Sequence, residues 1–138
     1  MAYEVSEKQL EQTKVTPGLT VKVAVLDDDE SFRALARAIL EPAGFAVIES
    51  ADVLQCLRQL RDQAVDAVIV DMVMPGRDGF EALRDLRELF PQIRIVAVSG
   101  ALDSELYLIE SAHLGADASL DKSKIGALCP LLNVVLDR

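Results

Sequence analysis

Residues 21 to 31 read VKVAVLDDDES, an apolar run that passes directly into Asp27, Asp28, Asp29 and Glu30. A run that does not alternate apolar with polar is how a strand buried on both faces reads, and such strands belong to parallel sheets covered by helices. Four further stretches of strand length follow: AVIES (46 to 50), AVIVD (67 to 71), IRIVAVS (93 to 99) and ASLD (118 to 121). Helical spacing fills the intervals. SFRALARAIL places Phe32, Leu35, Ala36, Ile39 and Leu40 on one face and is ended by Pro42 and Gly44. DVLQCLRQLRDQ repeats Val53, Leu57 and Leu60 behind an Asp52 cap, and GFEALRDLRELF repeats Phe80, Leu83, Leu86 and Leu89 before Pro91. Strand and helix in strict alternation predict right-handed crossovers and a doubly wound α/β fold, a five-stranded parallel sheet with helices on both faces.

The 138 residues suffice for one domain and one real core. That core is aliphatic, because 51% of the chain is apolar but only 4% is aromatic and Trp is absent. A formal charge of -9 argues against nucleic acid as a direct ligand, since phosphate binding runs on Lys and Arg. No apolar run reaches the roughly 18 residues of a membrane span, and the polar, acidic N-terminus is no signal peptide, so a cytoplasmic protein is expected. Cys56 and Cys129, each among apolar helical neighbours, read as two reduced core thiols. Residues 1 to 20 read as an N-terminal arm with a short helix over 4 to 13, ended by Pro17 and Gly18, and residues 21 to 138 as the folded domain.

Ligands of an open parallel sheet sit at the carboxyl ends of its strands. There the chain places Asp27 and Asp28, then Asp71, Ser99 and Lys122. Clustered carboxylates repel unless a cation neutralises them, and an all-oxygen set without His or Cys suits Mg²⁺. A second reading makes Asp27, Asp28 and Asp29 a helix N-terminus. It accounts for Asp29 and Glu30 but leaves Asp71 and Lys122 without a role. His113, late in the chain and far from the acids, reads as a surface or half-buried residue.

The series VLDDDES, VDMVMPGRDGFEAL, VAVSGA and GADASLDKS closely resembles the receiver domain of bacterial two-component response regulators. DMVMPGRDG in particular looks like the D-x-x-M-P-x-x-D-G signature of that family, and the resemblance runs from residue 21 to about 136. It implies a flavodoxin-like sheet of strand order 2-1-3-4-5. It also implies that Asp71 is the phosphoacceptor for a sensor histidine kinase or histidine phosphotransfer protein. Asp27, Asp28, Asp71 and the backbone carbonyl of Val73 would hold Mg²⁺, Ser99 would bond a phosphoryl oxygen, and Lys122 would pair with Asp71 before transfer. Met74 and Pro75 would shape the loop after Asp71, with Gly76 and Gly79 permitting tight backbone. Such a protein takes part in its own phosphoryl transfer and is not an enzyme with a separate substrate. No output segment follows residue 138, so the expectation is a stand-alone receiver acting by protein contact, or a domain excised from a longer protein.

The chain departs from the family pattern at three points. Ser123 follows Lys122 where the family usually has proline, often after a cis bond; before a non-proline residue that bond costs about 2.5 to 4 kcal/mol, so a trans bond and an altered approach of the lysine are expected. Ser119 stands where the family carries its aromatic switch, so activation needs another element, such as the loop 100 to 104 or the helix over 104 to 114. In the final helix, expected to begin near 126 to 129, Leu128, Leu131, Leu132, Val134, Val135 and Leu136 cover about 200° of the circumference, twice what packing on one sheet needs. The excess points to a partner surface or a homodimer through the fourth and fifth helices, against the alternatives of a sticky monomer or cover by the arm.

Two other function classes compete. A haloacid-dehalogenase-like phosphatase would use Asp27, Asp29 and Ser31 as its nucleophile motif with Ser99 and Lys122, but lacks its acidic pair after the lysine and leaves Asp71 unexplained. A receiver fold that binds partners without phosphorylation is the third, favoured weakly by Ser119 and Ser123.

Overall fold

The computed structural model describes residues 20–74, 77–100 and 104–138. The arm with its expected helix, Pro75, Gly76 and most of the loop after Ser99 lie outside these residues. Among the described residues there are seven strands: β1 (Lys22–Leu26), β2 (Ala46–Ser50), β3 (Ala67–Asp71), β4 (Val73–Met74), β5 (Arg77–Asp78), β6 (Arg94–Ser99) and β7 (Ala118–Asp121). Five α-helices accompany them: α1 (Glu30–Leu40), α2 (Val53–Asp62), α3 (Gly79–Leu89), α4 (Ser104–His113) and α5 (Leu128–Val135), with 3-10 turns at Glu41–Ala43 and Lys122–Ala127.

The five long strands pair in parallel in the order β2-β1-β3-β6-β7. Without the two-residue antiparallel pair β4/β5, which periodicity did not reveal, this is the expected order 2-1-3-4-5. The period of two along each strand divides the core. Ala24 and Leu26, Val68 and Val70, and Ile95 and Ala97 face α2 and α3, whereas Val23 and Val25, Ala67 and Ile69, and Val96 and Val98 face α1 and α5. Both faces are therefore apolar, which is why the strands read as continuous runs.

Local chemistry sets the helix ends. Asp29 caps α1 by accepting from the N–H groups of Ser31 and Phe32, and Asp52 caps α2 by accepting from Gln55 N–H at 2.9 Å. After α1 the 3-10 turn holding Pro42 ends at Gly44, whose φ of 98° is open to glycine at little cost. Gly79 serves packing: a Cβ there would lie 2.3 Å from the Met72 carbonyl oxygen, so only glycine lets α3 start this close to the end of β3.

The final helix corrects the expectation drawn from its composition. Leu128 and Leu132 are fully buried, and Leu131, Val135 and Leu136 pack against the same core, so α5 is enclosed by the sheet on one flank and α1 on the other. Cys129 Sγ lies 3.7 Å from the Ile39 carbonyl on that α1 side. The wide apolar arc is thus mostly internal, and only Val134, at 74% exposure, stands out in solvent. Exposed apolar surface lies on α4 instead, where Leu106 is 65% and Ile109 is 49% exposed.

Both cysteines are free thiols. Burial pushes the Cys56 thiol up to about 11, and that of Cys129 upward as well, which makes both poor nucleophiles. His113 is exposed and sits 3.8 Å from Glu110, as a surface residue should. Among the described residues, no helix is long and apolar enough to cross a membrane.

Candidate functional site

Parallel register brings the chemical residues to one edge of the sheet. Asp71 pairs with Val98, and Ser99 pairs with Asp121, so Asp71, Ser99 and Lys122 sit on consecutive strand ends, while Asp27 leaves β1 alongside, its N–H on the Ser50 carbonyl at 3.1 Å. A stretch of chain spanning residues 27 to 122 is thereby folded into one pocket.

The acid run divides at this point. Asp27 is fully buried; its Oδ1 accepts the Asp29 N–H at 2.8 Å and its Oδ2 lies 2.6 Å from Lys122 Nζ. Asp28 is exposed, and one carboxylate oxygen from each of Asp27, Asp28 and Asp71 falls within 4.8 Å of the others. Asp29 turns its carboxylate to the cap of α1, as the helix-start reading expects, and is not available as the second acid of a phosphatase motif. Three converging carboxylates with no nitrogen or sulfur donor form a set that fits a hard divalent cation.

Asp71 is 3% exposed; its Oδ1 accepts the Val73 N–H at 3.1 Å, and its Oδ2 lies 3.6 Å from Lys122 Nζ. Val73 opens β4 at the margin of the site. Ser99 is fully buried at the end of β6. Lys122 pairs with Asp71, as the resemblance implied, and stands closer still to Asp27. Each acid already has one oxygen on a backbone N–H, and the fully enclosed Asp27 carboxylate gains most from a nearby ammonium.

Charges follow from this arrangement. Burial raises the Asp71 carboxyl to about 6; the Val73 N–H and Lys122 oppose the rise, and the Asp27 charge adds to it. Burial works against the Lys122 ammonium, but its hydrogen bond to Asp27 and the charges of Asp27, Asp71 and Asp29 outweigh that cost and hold its pKa above the ordinary value. Lys122 is a cation at neutral pH, and Asp71 is mostly ionised.

Several supporting residues escaped the sequence reading. Phe32, counted there as a core position of α1, also carries Lys122 Nζ 4.4 Å above its ring centroid. Arg33 donates to the Asp27 carbonyl at 2.7 Å and pairs with Glu49 at 3.0 Å, tying the β1–α1 turn to the edge strand β2. Arg37 binds Glu49 as well, and this hydrogen bond leads the effects that hold the Glu49 carboxyl below its usual range. Asp121 accepts the Ser123 N–H at 2.9 Å, and its place two residues before Ser123 was a readable turn signal. The peptide bonds among the described residues are all trans, including the one after Lys122.

Comparison with known proteins agrees with this geometry. The profile of the response regulator receiver domain matches residues 23–131. The transcriptional regulatory protein CpxR of Escherichia coli K12 is 36% identical over 103 residues, 73% of this chain but only 42% of CpxR, so the chain spans about two fifths of that relative. Sporulation initiation phosphotransferase F of Bacillus subtilis is 31% identical over 97 residues, covering 69% of this chain and 76% of the relative. Among solved structures, a response regulator from Thermotoga maritima superposes with a TM-score of 0.77 at 27% identity, covering 87% of this chain and 100% of that one. The Vibrio cholerae chemotaxis protein CheY4 does so with a TM-score of 0.76 at 28% identity, covering 85% and 99%. A flavodoxin-like sheet, a three-carboxylate pocket with its lysine, and a match over nearly the whole described chain converge: this chain belongs to the response regulator receiver domain family of two-component systems.

Proposed function

We propose that the protein is a phosphoacceptor, taking a phosphoryl group onto Asp71 from a phosphohistidine of a sensor histidine kinase or a histidine phosphotransfer protein. The observation that carries this reading is the position of Lys122 Nζ, 2.6 Å from Asp27 and 3.6 Å from Asp71, beside three carboxylates gathered within 4.8 Å. A carboxylate oxygen of Asp71 attacks phosphorus; the phosphorus–nitrogen bond breaks, the imidazole leaves, and an acyl phosphate remains. Such transfers need charge stabilisation and in-line positioning more than they need a base.

Each neighbour then has a task. The Val73 N–H fixes one oxygen of Asp71 and orients the other. Lys122 neutralises the incoming phosphoryl charge, and Ser99 hydrogen-bonds a phosphoryl oxygen. Asp27, Asp28, Asp71 and the Val73 carbonyl would hold Mg²⁺, which supplies the remaining positive charge when bound. The protein turns over no separate substrate but takes part in its own phosphorylation and dephosphorylation. It acts by protein contact in the cytoplasm and binds no nucleic acid through this domain, in keeping with its charge of -9.

A homodimer contact, assigned from the sequence to the fourth and fifth helices, rests mainly on α4, where Leu106 and Ile109 are exposed. Incubation with acetyl phosphate and Mg²⁺, followed by mass mapping, tests the reading. A phosphoryl adduct on Asp71, lost in Asp71→Asn, is expected. An adduct on Asp27 would favour the phosphatase, and no response to Mg²⁺, acetyl phosphate or beryllofluoride would favour a binding module.

A further inference from the structure

We propose that Asp121 is a positioning residue for Lys122, and that its hydrogen bond to Ser123 replaces the proline that the family pattern places after the lysine. The proposal rests on the phosphoacceptor reading. Asp121 Oδ1 accepts the Ser123 N–H at 2.9 Å, a donor that proline does not possess. Asp121 is itself extended, at φ -72° and ψ 136°, and caps the 3-10 turn whose first residue is Lys122. The bond therefore spans Lys122 and sets the direction in which its side chain leaves the backbone.

Two other contacts guide the stem once it has left. A Cβ at Gly100 would lie 3.3 Å from Lys122 Cδ, so the lysine runs tightly past the end of β6. The Phe32 ring lies beneath Nζ, which sits 4.4 Å over its centroid. Both contacts act on the side chain, whereas Asp121 acts on the main chain. In the family pattern a proline ring limits the backbone here; this chain has a trans bond and needs a different restraint. An Asx cap of this kind supplies one, since it satisfies the second N–H of the turn while holding the residue between in a single conformation.

The consequence is chemical because Lys122 works by placement. A displacement of about 1 Å can cost on the order of a hundredfold in chemistry that depends on position. Removing the cap leaves Nζ beside the buried Asp27 but loosens its approach to Asp71, the longer of its two contacts at 3.6 Å.

The experiment compares rates of phosphorylation by acetyl phosphate with Mg²⁺ in the full chain. It also records the Lys122 Nζ resonance with and without beryllofluoride, at temperatures where thermal unfolding shows each variant folded. Asp121→Ala is expected to slow the reaction about tenfold and to blunt the Nζ response. Asp121→Asn, which keeps the acceptor oxygen, should stay within about twofold of wild type, and Ser123→Ala, which keeps the N–H, should be unchanged. Asp121→Glu, whose longer arm cannot close the same turn, should be slow like Asp121→Ala and carries the test if the alanine variant does not fold. Wild-type rate and Nζ response in Asp121→Ala or Asp121→Glu overturn the proposal, as does an Asp121→Asn as slow as the alanine variant, because charge and not the hydrogen bond would then be acting. A wild type that takes up no phosphoryl group overturns the phosphoacceptor reading instead.

Discussion

α4 and α5 flank the same edge strand, β7, from opposite faces, and they are anchored by apolar burial to very different degrees. α5 is held by apolar burial: Leu128 and Leu132 are wholly enclosed between the sheet and α1. On α4, among its described side chains, only Ser111 is buried; Leu106 and Ile109 face solvent, and the ring of Tyr107 stacks on Phe80 at 5.5 Å. Tyr107 and Leu108 pack against the core cluster beneath α4, and polar bonds hold its C-terminal side. Arg87 reaches from α3 to the Gly115 carbonyl through both Nε and Nη2, and to Asp117 at 2.9 Å, while Asp117 in turn accepts the Ile95 N–H at 2.8 Å. Ser119, small and on the α4 side of β7, lines an open groove of about 430 Å³ with Leu108, Ile109 and Ala112. Composition ranks the two helices the other way round, because it counts apolar residues and not the number of surfaces that surround them.

The largest expected effect is on the apolar anchor. Leu132→Ala should lower unfolding free energy by about 3 kcal/mol in chemical denaturation, whereas Leu106→Ala should cost less than about 0.5 kcal/mol. Equal losses at the two positions would remove the contrast. The same burial makes Leu132→Glu a folding mutant and unsuitable as a probe of assembly.

The site lies beyond both helices and responds to charge more than to packing. Because the folded Asp71 carboxyl titrates near 6, above its unfolded value, the folded state holds a proton that the unfolded state releases. The contribution of Asp71 to stability is most favourable below about pH 4 and declines as pH rises through about 6. In chelator at pH 7, Asp71→Asn should therefore be more stable than wild type by on the order of 2 kcal/mol, and the gain should vanish near pH 4. A gain independent of pH would trace the effect to packing.

The polar anchor comes next. Arg87→Ala strips donors from the Gly115, Pro91 and Ile93 carbonyls and should cost about 1 to 2 kcal/mol. Hydrogen exchange should quicken at the amides of residues 111 to 116 and remain unchanged in α5; matching changes in both helices would mean that they unfold as one unit.

The smallest effect on stability belongs to the exposed pair. Leu106→Glu combined with Ile109→Glu should shift unfolding free energy by less than about 0.5 kcal/mol each, yet convert a dimer to a monomer in light scattering. A wild type that is monomeric at tens of micromolar would leave α4 without a self-contact.

Much of this architecture was legible beforehand because it is written in short-range chemistry. The strand ends fall within one residue of the apolar runs, and Asp29, Asp52 and Gly44 mark helix ends through bonds and dihedrals confined to a few neighbours. The acids at 27, 28 and 71 were equally readable, since residues that end parallel strands must meet at one edge. Three features needed the folded chain. Lys122 lies nearer Asp27 than Asp71 because of how completely each acid is enclosed, which is not encoded next to the lysine. Phe32 becomes a floor for that lysine only once α1 and β7 are brought together across ninety residues of chain. The apolar arc of α5 reads as surplus until α1 closes over it: periodicity reports which side of a helix is apolar, but only packing decides how many neighbours share that side.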